Sequence, residues 1–413
     1  METRAERDRR LEAWRRLASG DEAVAGLLAR VGEGLSGGDG PTPALVSRLR
    51  REHDADLVAA AIDAVTARRK AAGKFRGAVG LWCDPQAVEQ ATSEAVAAWK
   101  ARRFTGLPVA DLCCGMGGDA RALARVAGER LVVVDRDPVR AWMAGMNARV
   151  VAGPARIDEA VADVDSWASD VDLASLAIHL DPARRDERGS RRFDPEACDP
   201  PLSTSLRLLR SSRGGAIKLS PGIPVPLPGL GTDEELEFVS ERGTLVQAIV
   251  WGGGLVRSPG ERRATMVEGE AVRTIAGPPT PPPGVPCGES VAMLAVPDPS
   301  IERAGLLGLA GLPELAAGLG ILGGPVSPLP GLVDGFFRRF EVLDRPPFRE
   351  EAVRESLRRL GASGARVRTR GESADADRWT KAVRTGVDSG LELDLFLLRL
   401  GDHRLALVVR DLR

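Results

Sequence analysis

Tyrosine is absent from the 413 residues, and lysine occurs only at positions 70, 74, 100, 218 and 381, so nearly all positive charge is arginine. With abundant alanine and glycine, that bias fits a GC-rich coding sequence and takes weight from any single arginine. Cysteine is sparse: residues 83, 113, 114, 198 and 287 form an odd set with no C-x-x-C pair, which argues against a disulfide framework and a zinc site. No run of about 18 or more apolar residues occurs, so no segment is expected to span a membrane. Net charge is nearly absent, 57 basic against 58 acidic side chains, and gives no global attraction to a polyanion. A nucleic-acid site would have to be a local patch. The N-terminal METRAERDRRLEAWRRL is charged and lacks an apolar signal core, so a cytoplasmic location is expected.

What is present is an ordinary globular composition, 43% hydrophobic and 28% charged, in a chain long enough for two or three domains. Residues 1–105 read as helical: Thr42 precedes Pro43 as a cap, and Leu57, Val58, Ala61, Ile62 and Val65 recur at helical spacing. Residues 106–275 alternate short apolar runs (LPVADL, RLVVVD, LASLAIHLD, GGAIKLS, LEFVS, TLVQAIVWGG) with helical segments. That is the pattern of an α/β domain with a mainly parallel sheet. The Pro-rich AGPPTPPPGVP opens a linker and connecting region, 276–339. Residues 340–413 read as a small α+β domain: helix, strand ARVRTR, helix, then the hairpin LDLFLLRLGDHRLALVV.

The strongest chemical signal is VADLCCGMGGDARALARV followed by RLVVVDRDP. A strand ends at Asp111, a turn carries Gly115, Gly117 and Gly118, and a helix begins near Asp119. Glycines there let backbone N–H groups approach a ligand at a helix N-terminus. Gly115-x-Gly117-x-x-Ala120 also satisfies the dinucleotide fingerprint. An acid at the first strand end sits poorly beside a pyrophosphate but suits the ammonium of S-adenosylmethionine, while Asp135 at the next strand end suits a ribose diol in either ligand.

DLCCGMGGD, VVVDRDP, LDPARR, RRFDPEA and KLSPGI, in this order, resemble the bacterial class I S-adenosylmethionine-dependent methyltransferases that carry a C-terminal THUMP-like domain. The resemblance extends from about residue 70 to 413. It implies a Rossmann-like methyltransferase sheet, S-adenosyl-L-methionine as cofactor, and an RNA substrate inferred from the appended domain. In such a fold Asp111, Cys113, Gly115, Gly117, Asp119 and Asp135 surround the donor, and Asp163, or Asp165 in its place, meets the adenine amine. Many relatives have Gly where this chain has Cys113. The Cys-Gly-x-Gly-Gly turn is also similar to that of guanine-N2 cap methyltransferases.

The resemblance also gives meaning to HLDPARRDERGSRRF, residues 179–193. Base-amine methyltransferases place an Asp/Asn-Pro-Pro-aromatic turn at the end of the fourth strand, where an acid or amide orients the attacking amine. Asp181 and Pro182 fit; Ala183 replaces the second proline, and Arg184 replaces the aromatic with a plane able to stack on a base or bind phosphate. Asp181, Pro182 and Arg184 are therefore the expected acceptor-site residues, and a base nitrogen of tRNA or rRNA the expected acceptor. Rival readings are a solvated strand-end loop, a methyltransferase of small molecules or proteins, and a donor-binding RNA module with little turnover. Cys198 is a less favoured nucleophile, and His179 reads as a packed strand histidine. Lys218 faces either the acceptor pocket or a strand-end acid.

Two segments are candidates for polynucleotide contact. Arg68, Arg69, Lys70, Lys74 and Arg76 cluster at a helix end, where cations also complement the helix dipole. Arg366, Arg368 and Arg370 alternate along one strand and share a face, so they need either water or an anion such as phosphate.

Overall fold

The computed structural model describes residues 3–35, 41–184, 194–284, 291–371, 374–388 and 390–412. They form two compact units, the first made of Met1–Glu235, Gln247–Pro259 and Glu268–Glu270, the second of Leu236–Val246, Gly260–Val267 and Ala271–Arg413. No helix among the described residues is long and apolar enough to cross a membrane.

The first unit opens with helices α1 (Arg4–Ala18), α2 (Glu22–Gly34), α3 (Pro43–Leu49), α4 (Ala55–Ala71), α5 (Pro85–Gln90) and α6 (Glu94–Ala101). Thr42 caps α3 by accepting from the Leu45 N–H at 3.2 Å, with Pro43 in the first turn where no N–H is needed. Helix α4 buries Leu57, Val58 and a row of alanines, whose small side chains let neighbouring helices approach. Helices α1 to α5 share one apolar cluster with Met116 and with Val139, Trp142 and Met143. The helical region and the α/β part thus have a common core.

That packing uses the basic segment 68–76. Lys74 Nζ donates to the carbonyls of Val88, Glu89 and Ala91 at the end of α5, and Arg69 donates to those of Gly32 and Leu35 at the end of α2. Arg68 donates to the Leu81 carbonyl and lies over the Trp82 ring, and Lys70 pairs with Glu89 at 2.8 Å. Helix C-termini leave carbonyls without intrahelical partners, and cations there complement the dipole. The expected nucleic-acid patch is, for these four residues, a set of internal ties.

The sheet of this unit contains β1 (Val109–Leu112), β2 (Arg130–Asp135), β3 (Arg156–Val161), β4 (Ala177–Leu180), β7 (Gly214–Leu219) and β9 (Thr244–Gly253), with the two-residue ladder β5 (Ala183–Arg184) and β6 (Cys198–Asp199) beyond it. The order is β3-β2-β1-β4-β7-β9, parallel except for β9, which runs antiparallel to β7. Helices α7 (Gly118–Val126) and α8 (Pro138–Arg149) make the first two crossovers, and α9 (Val164–Ser169) and α10 (Leu202–Ser211) follow β3 and β6. Chain order reverses between β1 and β4. In an open α/β sheet the crevice at the carboxyl ends of such a pair is where ligands bind.

The second unit contains β8 (Glu235–Glu241), β10 (Arg262–Glu268) and β11 (Ala271–Gly277), with β10 parallel to β8. Its larger sheet comprises β12 (Met293–Pro297), β13 (Leu322–Gly324), β14 (Phe337–Asp344), β15 (Gly364–Arg370), β16 (Glu392–Leu400) and β17 (His403–Asp411), in the order β13-β12-β14-β17-β16-β15. The segment 276–339 therefore supplies two strands to this sheet, besides α11 (Pro299–Ala304). Alternation sorts the strands' side chains onto two faces. Leu393, Leu395 and Leu397 pack with residues of α12 (Glu350–Arg359) and α13 (Ala376–Ala382), such as Val353, Leu357 and Trp379. Phe396 and Leu398 pack with Phe340, Leu315, Leu319 and Ile321.

Arg366, Arg368 and Arg370 do share a face, but two of the three meet carboxylates of the chain itself. Register sets Arg366 opposite Asp394 and Arg368 opposite Phe396. Arg368 Nε donates to Asp394 Oδ1 at 2.7 Å, and its guanidinium lies over the Phe340 and Phe396 rings. Arg370 Nη2 lies 3.3 Å from Glu302 Oε2, whereas Arg366 is exposed. The row that reads as a phosphate site is, at Arg368 and Arg370, an internally matched one.

Candidate active site

Between β1 and α7 the chain makes a tight turn in which Cys113 (φ 58°), Gly115 (φ 54°) and Gly117 (φ 83°) occupy the left-handed region. The two glycines serve different ends. A Cβ on Gly117 would lie 2.7 Å from Ala144 Cα in α8, so this position is set by helix packing; a Cβ on Gly115 would meet nothing within 4 Å. Asp135, at the end of β2, fastens the turn: Oδ2 accepts from the Gly115 N–H and Oδ1 from the Asp137 N–H, both at 3.0 Å. Burial pushes the Asp135 carboxyl up, and those two N–H groups oppose the shift.

Behind the turn lies a buried chain of charged groups. Asp111 and His179 are opposite each other in the β1–β4 register, and His179 Nδ1 donates to Asp111 Oδ1 at 2.7 Å. Asp111 Oδ2 and His179 Nε2 are buried and have no hydrogen-bond partner among the described residues. His179 Nε2 lies 3.8 Å from Asp119 Oδ2, which accepts from Thr92 Oγ1 at 2.7 Å, and Lys100 Nζ sits 2.8 Å from Asp119 Oδ1. Burial raises the Asp111 carboxyl, with His179 opposing by charge and hydrogen bond. Burial also opposes ionisation of Asp119, but the Lys100 ammonium, with His179 and Lys218, prevails and holds that carboxyl well below the usual range. Asp119, expected beside the donor, is thus engaged by Lys100 and Thr92. Lys100 was not singled out by the sequence reading. Its signal is a lysine set one turn after Val96 and one residue before Ala101, on the apolar side of α6.

At the end of β4 the Asp181 N–H donates to the Leu112 carbonyl at 3.1 Å, and Lys218 Nζ donates to Asp181 Oδ2 at 2.7 Å. Burial works against the Lys218 ammonium, but Asp181 and Asp119 outweigh it and raise its pKa. After Pro182 the β5–β6 ladder places Ala183 opposite Asp199 and Arg184 opposite Cys198. Arg136, next to Asp135, donates to Asp199 Oδ2 at 2.6 Å. The side chain of Arg184 and all of residues 185–193 lie outside the described residues.

Burial drives the Cys113 thiol well above its ordinary value, reinforced by the charges of Asp135, Asp181, Asp199 and Asp111. A thiol so held stays protonated and is a poor nucleophile. Asp163 caps α9 by accepting from the Asp165 N–H at 3.0 Å, and Asp165 pairs with Arg207 at 2.6 Å. Asp163 follows the end of β3, at the carboxyl-end rim of the sheet.

No family model matches the chain. Two curated proteins of Mycobacterium tuberculosis, one from each of two strains, are described as uncharacterized S-adenosylmethionine-dependent methyltransferases. Each is 33% identical over 337 residues, covering 78% of this chain and 88% of its own length. The crystal structure of a candidate methyltransferase from Porphyromonas gingivalis superposes with a TM-score of 0.73 at 19% identity, covering 94% of this chain and 99% of that one. At that identity the likeness shows the fold.

Proposed function

Because the chain belongs to the S-adenosylmethionine-dependent methyltransferases, we propose that the crevice between β1 and β4 binds that donor and transfers its methyl group to a base nitrogen of tRNA or rRNA. The residues present fit the donor. Asp111 Oδ2 is a buried carboxylate oxygen with no partner among the described residues, suited to an ammonium, and a Cβ at Gly115 in the same turn would meet open space. Asp135 at the end of β2 suits a ribose diol, Cys113 lines the turn, and Asp163, just after β3, is the acid we assign to the adenine amine. When bound, S-adenosylmethionine supplies an electrophilic methyl group on a sulfonium.

The observation that carries the acceptor reading is Asp181, part-exposed at the end of β4 and fixed by Lys218. Its carboxylate is placed to accept a hydrogen bond from an acceptor amine and turn the nitrogen lone pair toward the methyl group. Pro182 restricts the backbone behind it. The arginines at 184, 185, 188, 191 and 192 supply cations for a phosphate backbone. In this reading the six-stranded sheet of the second unit, with its helices, is a THUMP-like domain that adds RNA affinity, with Arg366 as its exposed cation.

Transfer of a tritiated methyl group to bulk RNA, followed by mass spectrometry of nucleosides from cells lacking the gene, tests the proposal. Incorporation into RNA and one missing methylated nucleoside are expected. RNA binding without incorporation would mean a binding module, and neither would mean a small-molecule or protein acceptor.

A further inference from the structure

His179 is fully buried, on the centre of a strand, and has no place in the chemistry just described. A buried imidazole with one nitrogen unsatisfied is costly unless its position serves another group. The groups around it come from β1, α6, α7, β7 and the turn that follows α6. Asp111 faces Nδ1 from β1 and Asp119 faces Nε2 from α7. Lys100 of α6 holds Asp119, and Lys218 of β7 acts on Asp119 and Asp111 while paired with Asp181. The Phe104 ring meets the imidazole edge-on at 6.4 Å between centroids. Lys218 and Asp181 answer each other. Two carboxylates, Asp111 and Asp119, thus stand with the ammonium of Lys100 and the imidazole of His179 beside the glycine turn.

We infer that His179 is a donor-positioning residue: its Nδ1–H holds Asp111 Oδ1 and thereby directs Oδ2 toward the ammonium of the methyl donor. The inference rests on the reading that Asp111 receives that ammonium. A carboxylate this deep, stripped of its imidazole partner, is left with burial and the Asp119 charge raising it against Lys100 only, and takes up a proton at higher pH. A protonated Asp111 no longer attracts a cation. His179 therefore keeps the amino-acid end of the donor site charged, while contributing nothing to the adenosine end.

Two ligands separate those ends: S-adenosylhomocysteine, which carries the ammonium, and 5′-methylthioadenosine, which lacks the amino-acid tail. Calorimetry on the full chain is expected to show His179→Leu weakening S-adenosylhomocysteine about tenfold or more at neutral pH, as for a lost hydrogen bond to a charged group, with 5′-methylthioadenosine unaffected. In His179→Leu the affinity for S-adenosylhomocysteine is expected to recover as pH rises. His179→Asn, whose amide N–H can take the place of Nδ1–H, is expected to restore most of it. Equal losses for both ligands, or none for either, would overturn the inference.

Asp111→Asn distinguishes the two levels of the argument. If it spares S-adenosylhomocysteine binding, the reading of Asp111 fails and the inference falls with it. If it weakens binding while folded His179→Leu does not, only the inference falls. Should His179→Leu fail to fold, the Nδ1–H resonance of the unmodified protein supplies the test. It is expected to shift on adding S-adenosylhomocysteine but not 5′-methylthioadenosine, and an identical response to both would overturn the role.

Discussion

Lys218 Nζ donates to Asp181 Oδ2 at 2.7 Å, one residue past Leu180 and Ile217, the last couple in the β4–β7 register. The ion pair is the product of parallel register, which sets the residue after β4 beside Lys218, still within β7. A carboxylate held by an ammonium is a well-oriented hydrogen-bond acceptor. On the proposed function, orientation of an acceptor amine is the role that fits.

Asp181→Ala is accordingly expected to lower turnover by about a hundredfold or more, roughly 3 kcal/mol, with donor affinity unchanged. Asp181→Asn keeps an acceptor oxygen and should retain measurable activity. Lys218→Met should also lower turnover, and the double variant should be no worse than Asp181→Ala, because both changes disable one unit. Single-turnover methyl transfer at saturating donor measures all four. Full activity in folded Asp181→Ala would sink the assignment.

The two turn glycines should respond differently. Gly117→Ala forces a Cβ to within 2.7 Å of Ala144 Cα at φ 83°, and is expected to lower the unfolding midpoint by an amount corresponding to about 1–3 kcal/mol. Gly115→Val, whose Cβ points into open space, should weaken donor binding by more than its cost in stability. Thermal unfolding and calorimetry on the same preparations separate the effects. Loss of donor affinity at Gly117 without loss of stability would contradict the packing role.

Lys100→Met leaves Asp119 buried without its cation, and is expected to destabilise the fold by about 3–5 kcal/mol. The pH dependence has a definite sign. The Asp119 carboxyl is lowered in the folded state, so its contribution is complete above the unfolded value of about 4 and fades as pH falls below it. Denaturant titrations from pH 7 to pH 3 should show a loss of stability in the native protein below about pH 4. In Lys100→Met that acid-dependent component should shrink, and an identical pH profile in both proteins would contradict the role of Lys100.

In the second unit, Arg368→Ala removes the bond to Asp394 and the contact with two phenylalanine rings, and is expected to cost about 2 kcal/mol of stability. Arg366→Gln should leave stability within about 0.5 kcal/mol. If the unit holds RNA, the same change should flatten the salt dependence of binding by about one unit of slope. An unaltered slope would return Arg366 to a solvated surface.

The strand-turn-helix at Asp111 was legible because its requirements are local: a run of apolar residues, glycines where φ is positive, and an acid at each of two strand ends. The same holds for the Thr42 cap and the period-two hairpin near the C-terminus. Lys100 and Thr92 were not legible, since nothing local marks a lysine or threonine as the partner of an aspartate on another helix. Arg368 misled for the same reason. Alternation puts the three arginines on one face, but Asp394 and Glu302 reach that face only through strand pairing and tertiary packing.

The sequence by itself determined the α/β pattern, the glycine turn after Asp111 and the placement of Asp181 at a strand end, because backbone geometry and side-chain period act over a few residues. Only the tertiary structure decided which charges meet. Lys218 is assigned to Asp181, His179 to Asp111, Lys100 to Asp119, and the basic segment at 68–76 largely to helix ends. An ion pair or hydrogen bond depends on distances of about 3 Å between groups far apart in the chain, and those distances are set by strand register and helix packing.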